Sequence, residues 1–201
     1  MIYCEYQNGC IICDMLFCKG IVAMISNIKF VEQARSSKYN SVKYSQMDCQ
    51  AFVEAVLRDA GCRKPDGAAY NWKGSNDMWR NALSWKGTID ECKAAFGDIP
   101  LGSWVFIWKN DGGEKDRGYH DDQGNATHVG IYVGADTVRD STRNSSGRDG
   151  VGYRKLAGFN RVGLCKFIDY SNENKDTISD ILTIIDQIRS KLSDIERMVQ
   201  E

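Results

Sequence analysis

The stretch that decides the fold, residues 47–61, reads MDCQAFVEAVLRDAG. It predicts an amphipathic helix, because four apolar residues recur on one helical face: Phe52, Val53, Val56 and Leu57. Asp48 is a residue type that caps helix starts, and Gly61 stands where a helix ends. Cys49 is therefore expected at the N-terminus of a helix that packs against a core.

The rest of the chain supplies more helix and a set of strands. Residues 25–34 predict a helix, and residues 66–98 predict short helices and loops. Strands are predicted at residues 103–108, 128–134, 137–141 and 162–169. The stretch HVGIYVG at residues 128–134 alternates as a half-buried strand does. The predicted helices come first in the chain and the predicted strands come later. This order indicates an α+β fold with an antiparallel sheet rather than alternating βαβ units.

Length, composition and charge are those of one soluble globular domain. The chain has 201 residues, of which 42% are apolar and 26% charged, and a single core can accommodate this composition. Lys and Arg (26) balance Asp and Glu (27), so the net charge is −1. Attraction to phosphates needs a basic excess, so no nucleic acid is expected as a partner. Residues 25–171 are expected to form the domain.

The first 24 residues are a separate, cysteine-rich segment. Four of the eight cysteines lie there: Cys4, Cys10, Cys13 and Cys18. The single CxxC has no second CxxC at zinc-finger spacing, so free thiols are favoured over a zinc site or disulfides. Asp14 interrupts the apolar run and no basic region precedes it. The segment therefore predicts neither a signal peptide nor insertion into a membrane.

Residues 172–201 change character and carry a heptad repeat. Seven apolar residues recur at alternating spacings of three and four: Ile178, Ile181, Ile185, Ile188, Leu192, Ile195 and Val199. The pattern predicts a coiled-coil-like helix that Asp176 or Thr177 caps. A repeat of about 3.5 residues suits a second helix better than a sheet, which favours a homo-oligomer formed through residues 176–200. Docking of this helix on the domain is the alternative.

Cys49 and His128 are the candidates for nucleophilic chemistry. A helix N-terminus favours a thiolate through its unpaired amides and its dipole, and an adjacent imidazolium favours it further. The chain has two histidines, His120 and His128. If the sheet brings His128 beside Cys49, the imidazole can take the thiol proton and later protonate a leaving group. Asp140, on the next predicted strand after a short turn, can then orient the ring.

Two segments together resemble the NlpC-type family of cell-wall cysteine peptidases. YSQMDCQAFVEAVLRDAG is similar to the family's DCSGFVxxxLxxxG helix, and NATHVGIYVG is similar to its GHVGIYxG strand. Residues 100–106, PLGSWVF, resemble the family's PGDLVFF segment. The segments follow the family's order within residues 25–170, and two joint motifs are far more specific than one.

The resemblance implies a papain-like α+β fold and a catalytic trio. Cys49 would be the nucleophile, His128 the base and Asp140 the third residue. The family more often has His at the third position, and Ser141 is a near alternative to Asp140 there. No metal or organic cofactor is needed for thiolate attack, and none is expected.

The resemblance also implies how the substrate is bound. Asp48 would help to bind the free amine of a stem peptide, and Tyr44 or Tyr39 would contribute to the oxyanion site together with the backbone amide of the nucleophile. Gln50 stands where the family usually has Ser. Independently of the resemblance, three tryptophans are candidates either for lining a glycan or peptide groove or for covering the core: Trp72, Trp79 and Trp85.

A metal site is the competing interpretation of the polar residues near the second histidine. His120, Asp121 and Asp122 with His128 form a set of suitable ligands. A solvated, glycine-rich flap beside the cleft, spanning residues 111–125, is the simpler interpretation. We therefore expect no metal here.

The function that the resemblance implies is hydrolysis of peptidoglycan stem peptides, at the bond that follows D-glutamate. The second candidate is an N-acetylmuramoyl-L-alanine amidase, which cuts the bond between N-acetylmuramic acid and L-alanine. A non-catalytic papain-like binding or assembly module is the alternative of a different class, and a papain-like acyltransferase or deamidating effector is a third. We expect synthesis in the bacterial cytoplasm and release to the wall on lysis, as for a phage or prophage lysin (an endolysin) of a Gram-positive host, or association with a virion.

Overall fold

The computed structural model describes residues 6–7, 10–11, 24–111, 121, 123–145 and 147–171. Within these residues the fold is mixed, with four α-helices and a six-stranded antiparallel sheet, which confirms the α+β class. The predicted heptad helix at residues 172–201 lies outside the described residues. So do three of the N-terminal cysteines: Cys4, Cys13 and Cys18.

Three of the four α-helices in the described residues begin at a capping side chain. The bounds of the four are α1 Asn27–Ala34, α2 Cys49–Asp59, α3 Ser75–Asn81 and α4 Ile89–Phe96, and a short 3-10 helix spans Ser37–Tyr39. Ser26 caps α1 by accepting a hydrogen bond from the backbone of Lys29, and Thr88 and Glu91 form a capping box at α4. The helix predicted at residues 25–34 thus starts two residues late, because residues 25 and 26 form a short strand.

The strands form one large sheet and two small pairs. Their bounds are β1 Tyr6–Gln7, β2 Cys10–Ile11, β3 Ile25–Ser26, β4 Leu83–Thr88, β5 Trp104–Lys109, β6 Asn125–Gly134, β7 Thr137–Arg143, β8 Asp149–Lys155, β9 Arg161–Cys165 and β10 Ile168–Asp169. The large sheet has the order β4-β9-β5-β6-β7-β8, and every neighbouring pair is antiparallel. Strands β1 and β2 pair with each other, and β3 pairs in parallel with β10. The single strand predicted at residues 162–169 is therefore two strands.

The large sheet is buried on both faces. Trp104 and Phe106 of β5 pack in a core with helices α1, α2 and α3, whereas Val105 between them packs in a second core that includes Cys92 of α4. Successive side chains of a strand point to opposite faces, so the two cores lie on the two sides of the sheet. The prediction of a half-buried strand at residues 128–134 is wrong in this respect, since residues 129–133 are all buried.

Two strands of the large sheet, β4 and β8, lack a clear sequence signal. Strand β4 falls within residues 66–98, where the sequence predicts only short helices and loops, and this edge strand is half exposed. Strand β8 contains two glycines, which strands disfavour. It forms because seven successive residues pair with β7. Gly150 has φ 120°, and a Cβ there would collide with the carbonyl oxygen of Val42, so only glycine permits this close approach.

No helix among the described residues is long and apolar enough to cross a membrane.

Candidate active site

Cys49 occupies the first position of α2, as the sequence predicts. Asp48 caps the helix, because its Oδ1 accepts a hydrogen bond from the backbone N–H of Ala51 at 2.8 Å. The side chain of Cys49 is nearly buried, with 8% of the residue exposed. The unpaired N–H groups of a first helical turn and the helix dipole both favour negative charge at this position.

His128 lies in β6, directly after a β-bulge. The β5–β6 ladder pairs Ile107 with His128 and Trp108 with Ala126, so Thr127 is the extra residue. A bulge of this kind re-aims the neighbouring side chain. The His128 Nε2 atom lies 2.6 Å from Oδ2 of Asp140, and the imidazole donates this bond because a carboxylate can only accept.

The β6–β7 hairpin brings these two side chains together. Its turn consists of Ala135 and Asp136, with φ of 49° and 54°, a backbone twist that matches the twist of the flanking strands. Gly130 lies beside the third residue of the trio. A Cβ at Gly130 would come within 3.1 Å of the Cβ of Asp140 and closer still to Val138. Glycine therefore leaves the space that lets Asp140 reach the histidine ring.

The ring of His128 is held in its protonated form. Burial is the largest influence and acts to lower the pKa of His128, but hydrogen bonds with Asp140 and Cys49, and the negative charges of both groups, raise it from 6.5 to about 9. Because Asp140 uses Nε2, the remaining ring nitrogen, Nδ1, serves the thiol. The structure thus brings the three predicted residues together, with a hydrogen bond between His128 and Asp140.

Two arginines that sequence reasoning did not find surround the third residue of the row. Asp140 is fully buried. Arg148 Nη2 lies 2.5 Å from its Oδ1, and Arg154 Nη1 lies 3.6 Å from its Oδ2. Both arginines belong to the hairpin whose second strand, β8, has no clear sequence signal, so no pattern in the sequence points to them.

Ser141, the alternative third residue, has a different role. Its Oγ donates a hydrogen bond to the backbone carbonyl of Met47 at 2.5 Å. Met47 lies two residues before Cys49, so strand β7 fixes the loop that leads into the nucleophile. One strand therefore orients the histidine through Asp140 and the cysteine loop through Ser141.

A pocket of about 250 Å³ opens beside Cys49. Residues 44, 48–50, 74–75 and 125–127 line it. Three of the predicted substrate-binding residues are among them: Tyr44, Asp48 and Gln50. Asp48 is exposed there, whereas Gln50 is half-buried and its Nε2 donates to Oε1 of Glu54 at 2.7 Å.

Trp72 is not part of this pocket. Its residue is 9% exposed, and its indole packs edge-on against Trp104 with ring centroids 5.6 Å apart. Only its backbone reaches toward the site, where the Trp72 carbonyl accepts a hydrogen bond from Gln50. Trp79 likewise packs in the core against Phe106, and Trp85 contacts Phe96. The tryptophans that the sequence offers for a groove are therefore core-covering residues.

The two candidate tyrosines are separated by the structure. Burial, together with the negative charges of Cys49 and Asp48, raises the pKa of Tyr44, which keeps its hydroxyl protonated as a hydrogen-bond donor near the sulfur. Tyr39 is buried elsewhere, and its hydroxyl donates to Asp59 at 2.7 Å near the other end of α2. Tyr44 is thus the tyrosine that borders the pocket.

The far wall of the pocket depends on helix α3, which sequence reasoning did not connect to the site. Ser75 Oγ donates to the carbonyl of Ala126 at 2.5 Å. Asn76 donates to Oδ1 of Asn125 at 2.7 Å and accepts from the backbone of Ala126 at 2.8 Å. These bonds fix the start of β6, three residues before the histidine.

The alternative metal site is not assembled among the described residues. His120 and Asp122 lie outside them, and Asp121 instead pairs with Arg80, whose Nη2 is 2.5 Å from its Oδ1. Within the part of the chain that the structure describes, no group of three or more His, Cys, Asp or Glu side chains is placed to hold a metal ion.

The chemistry available at this site is nucleophilic attack on a carbonyl carbon. A thiol at a helix start, a charged imidazole and a buried carboxylate are the components of an activated cysteine. A scan against protein-family models finds no match, and a search of curated proteins finds no significant match. The function must therefore be inferred from the site and from the sequence motifs.

Proposed function

We propose that this chain is a cysteine peptidase of papain-like fold that cleaves the stem peptides of bacterial peptidoglycan. The observation that carries the proposal is the row Cys49, His128, Asp140 beside an open polar pocket. The row joins the start of one helix to two adjacent antiparallel strands. A nucleophile, a base and an orienting group in hydrogen-bond reach are what acyl transfer requires.

The first half of the reaction makes a thioester. The Cys49 thiolate attacks the peptide carbonyl carbon, a C–S bond forms, and the carbonyl electron pair moves to oxygen. The backbone N–H of Cys49 and the hydroxyl of Tyr44 are the donors for this oxyanion. His128 then gives its proton to the leaving nitrogen as the C–N bond breaks, and the amine product departs.

The second half regenerates the enzyme. His128, now neutral, takes a proton from a water molecule, and the resulting hydroxide attacks the thioester carbonyl. The C–S bond breaks, the carboxylic acid product leaves, and the thiolate and imidazolium are restored. Asp140 keeps Nε2–H directed away from the sulfur throughout, so Nδ1 is the nitrogen that moves the proton.

The pocket supports a substrate with a free amino group. Asp48 is exposed, borders the pocket and directly precedes the nucleophile. Its Oδ1 caps the helix, and the second carboxylate oxygen can pair with a protonated amine. Together with the sequence motifs, this favours a stem peptide cut after D-glutamate over a cut between N-acetylmuramic acid and L-alanine.

The biological setting follows from the resemblance to cell-wall peptidases. A lysin made by a phage or prophage, acting on the wall from within or carried on a virion, is the setting that we propose. The heptad-patterned residues 172–201 would join copies of the chain into an oligomer, and several domains held together bind a polymeric wall with higher avidity.

The test is digestion of purified Gram-positive peptidoglycan, and of free stem peptides whose L-alanine amine is exposed, followed by mass spectrometry of the released fragments. Wild type should release fragments, Cys49→Ala should release none, and Cys62→Ala is the matched control. Cys62 is a fully buried cysteine outside the pocket, so its removal should leave the products unchanged. Fragments that end in D-glutamate indicate the proposed cut, whereas intact stem peptides with a free L-alanine amine, released from the peptidoglycan, indicate the amidase cut.

Two results would contradict the proposal. If Cys49→Ala releases the same fragments as wild type, a thiol nucleophile is excluded. If neither protein releases fragments from several wall types under reducing conditions but both sediment with the wall, a non-catalytic binding module is the better description.

A further inference from the structure

Arg148 supplies the buried Asp140 carboxylate with a partner whose charge does not depend on pH. A buried charge is costly unless its oxygens are paired, and an arginine stays protonated throughout the working range. Arg148 Nη2 lies 2.5 Å from Oδ1 of Asp140, 2.5 Å from the backbone carbonyl of Asp140 and 3.0 Å from the carbonyl of Gly152. One guanidinium nitrogen thus fixes the carboxylate relative to its own backbone.

The hairpin is built around this guanidinium. The backbone N–H of Arg148 donates to Oδ1 of Asn144, and the N–H of Asn144 donates to the carbonyl of Arg148. Gly152 lies under the side chain, where a Cβ would come within 3.0 Å of Arg148 Nε. The side chain is held from both ends, since its backbone is fixed in the turn and its head on β7.

We propose that Arg148 is a positioning residue of the active site, which holds the Asp140 carboxylate in the orientation that accepts the hydrogen bond from His128 Nε2–H. This inference builds on the proposed function but concerns a contact that exists without substrate. The positive charge of Arg148 also offsets the negative groups around the ring, which limits how tightly the imidazolium keeps its proton.

The charged and titratable groups around the ring define the expected effect. Among the described residues, Cys49 faces it from α2, Asp140 from β7, and Arg148 and Arg154 stand behind Asp140. Tyr44 and Asp48 lie near the thiol. Removing the positive charge of Arg148 leaves the negative charges of Asp140 and Cys49 less compensated, so the pKa of His128 should rise.

Arg154 is the weaker of the two arginines. It lies 3.6 Å from Oδ2, its side chain is 30% exposed, and its guanidinium stacks on the Phe159 ring with 4.7 Å to the centroid. It therefore contributes positive charge near Asp140 at a longer distance than Arg148 does. Arg148 is the residue that positions Asp140, because its Nη2 atom contacts both the carboxylate and the main chain.

The experiment is an NMR titration of the His128 ring, together with the rate of wall cleavage, in wild type and four variants. The chain has two histidines, so His120→Gln assigns the signals. Arg148→Gln should raise the titration midpoint by about half a unit to one unit and lower kcat about tenfold or more. Arg148→Lys keeps the charge, but its ammonium ends one bond short of the Nη2 position and cannot make the same contacts, so its midpoint should stay near that of wild type while kcat still falls.

Lys155→Gln is the matched control, because it removes one positive charge from an exposed position on β8, the strand that directly follows Arg148. It should leave both the midpoint and kcat unchanged. Wild-type values of both quantities in Arg148→Gln would overturn the proposal. If Arg148→Gln does not fold, Arg148→Lys decides, since a wild-type kcat in that variant is incompatible with a positioning role.

The titration also separates this inference from the proposed function. If wild type cleaves no peptidoglycan, the NMR midpoint and the pH dependence of Cys49 alkylation still report on Arg148 without any substrate. A shifted midpoint in Arg148→Gln then supports the contact, even though the wall substrate is wrong. An unshifted midpoint in folded Arg148→Gln overturns the contact, whatever the substrate proves to be.

Discussion

Helix α2 has a cysteine at each end, Cys49 as its first residue and Cys62 just beyond its last. Cys49 borders the pocket and lies close enough to His128 to raise the pKa of its ring. Cys62 is fully buried, and burial alone raises its pKa to about 11. The same residue type, at the two ends of one helix, therefore has a charged partner and an opening to solvent at one end and neither feature at the other.

The two ends of α2 differ because the helix dipole favours opposite charges there and because the charged groups at each end have different partners. Cations are favoured at a helix C-terminus, and Lys38 and Arg58 lie there, but both pair with Asp59. At the N-terminus the sheet supplies an imidazolium directly to the thiol. Reactivity of a helix-end cysteine therefore depends on which neighbouring group the tertiary fold places beside it.

The largest expected effect comes from removing the imidazole. His128→Gln should make the N-terminal end of α2 resemble the C-terminal end, and we expect kcat for wall cleavage to fall by about a thousandfold or more. The control is His120→Gln, which should retain activity. Loss of activity in His120→Gln instead would favour the metal-site interpretation of residues 120–122.

The two thiols should differ in their rates of alkylation. At pH 7 a thiol with a pKa of about 11 is ionised in about one molecule in ten thousand, and the burial of Cys62 slows the reaction further. Cys49 should react with iodoacetamide at least about a hundredfold faster than Cys62, as measured by peptide mass mapping over time. Equal alkylation rates at Cys49 and Cys62 would show that His128 and the pocket do not make Cys49 the more reactive thiol.

The C-terminal end of α2 should control part of the acid stability. Burial acts to raise the pKa of Asp59, but hydrogen bonds from Arg58, Lys38 and Tyr39 outweigh it and lower the pKa to about 2. Its contribution to the free energy of unfolding is therefore present above the unfolded value of 3.8 and lost as the pH falls through about 2. Asp59→Asn should destabilise the protein by about 2 kcal/mol at pH 7 and flatten this acid dependence in urea unfolding.

The control for that measurement is Asp149→Asn, because Asp149 forms an exposed ion pair with Arg143 that contributes little. An acid dependence in Asp59→Asn identical to that of wild type would show that other carboxylates dominate.

The smallest expected effect separates two roles of the N-terminal cap. Asp48→Ala removes the bond to the Ala51 amide and should cost about 1 kcal/mol of stability. Asp48→Asn keeps a capping oxygen, so stability should stay within a few tenths of a kcal/mol by the same principle. The proposed amine contact is lost in both, so KM for a stem peptide should rise in both. Wild-type KM in Asp48→Asn would assign Asp48 to capping only.

The parts of the site that the sequence predicts are those with local signals. A capped helix with an apolar face places Cys49, and a hairpin with a short turn places His128 within reach of Asp140. Each of these depends on residues within about one turn or one strand, where periodicity and caps decide the structure. These local signals place each residue on its element, but the position of His128 beside Cys49 is a tertiary contact, which the sequence motifs implied only through the family resemblance.

The parts that could not be predicted depend on contacts between distant segments. Strand β8 contains Gly150 and Gly152 and forms because it pairs with β7. The contact between Asp140 and Arg148, which directly precedes β8, therefore has no signal in the sequence. Trp72 has an apolar ring that suits a groove or a core equally, and only the packing against Trp104 decides between them. The second core, on the other side of the sheet, depends on where α4 packs, and no local sequence pattern specifies that position.

The most direct test of the central claim is the titration of the His128 ring in wild type, Cys49→Ala and Cys62→Ala. The wild-type ring should titrate near pH 9, because Asp140 and Cys49 together outweigh the effect of burial. Cys62→Ala should leave that value unchanged, and Cys49→Ala should lower it, since the hydrogen bond and charge of the thiolate are gone. A ring that titrates near 6.5 in all three proteins would contradict the pairing of Cys49 with His128, and with it the proposed thiol chemistry.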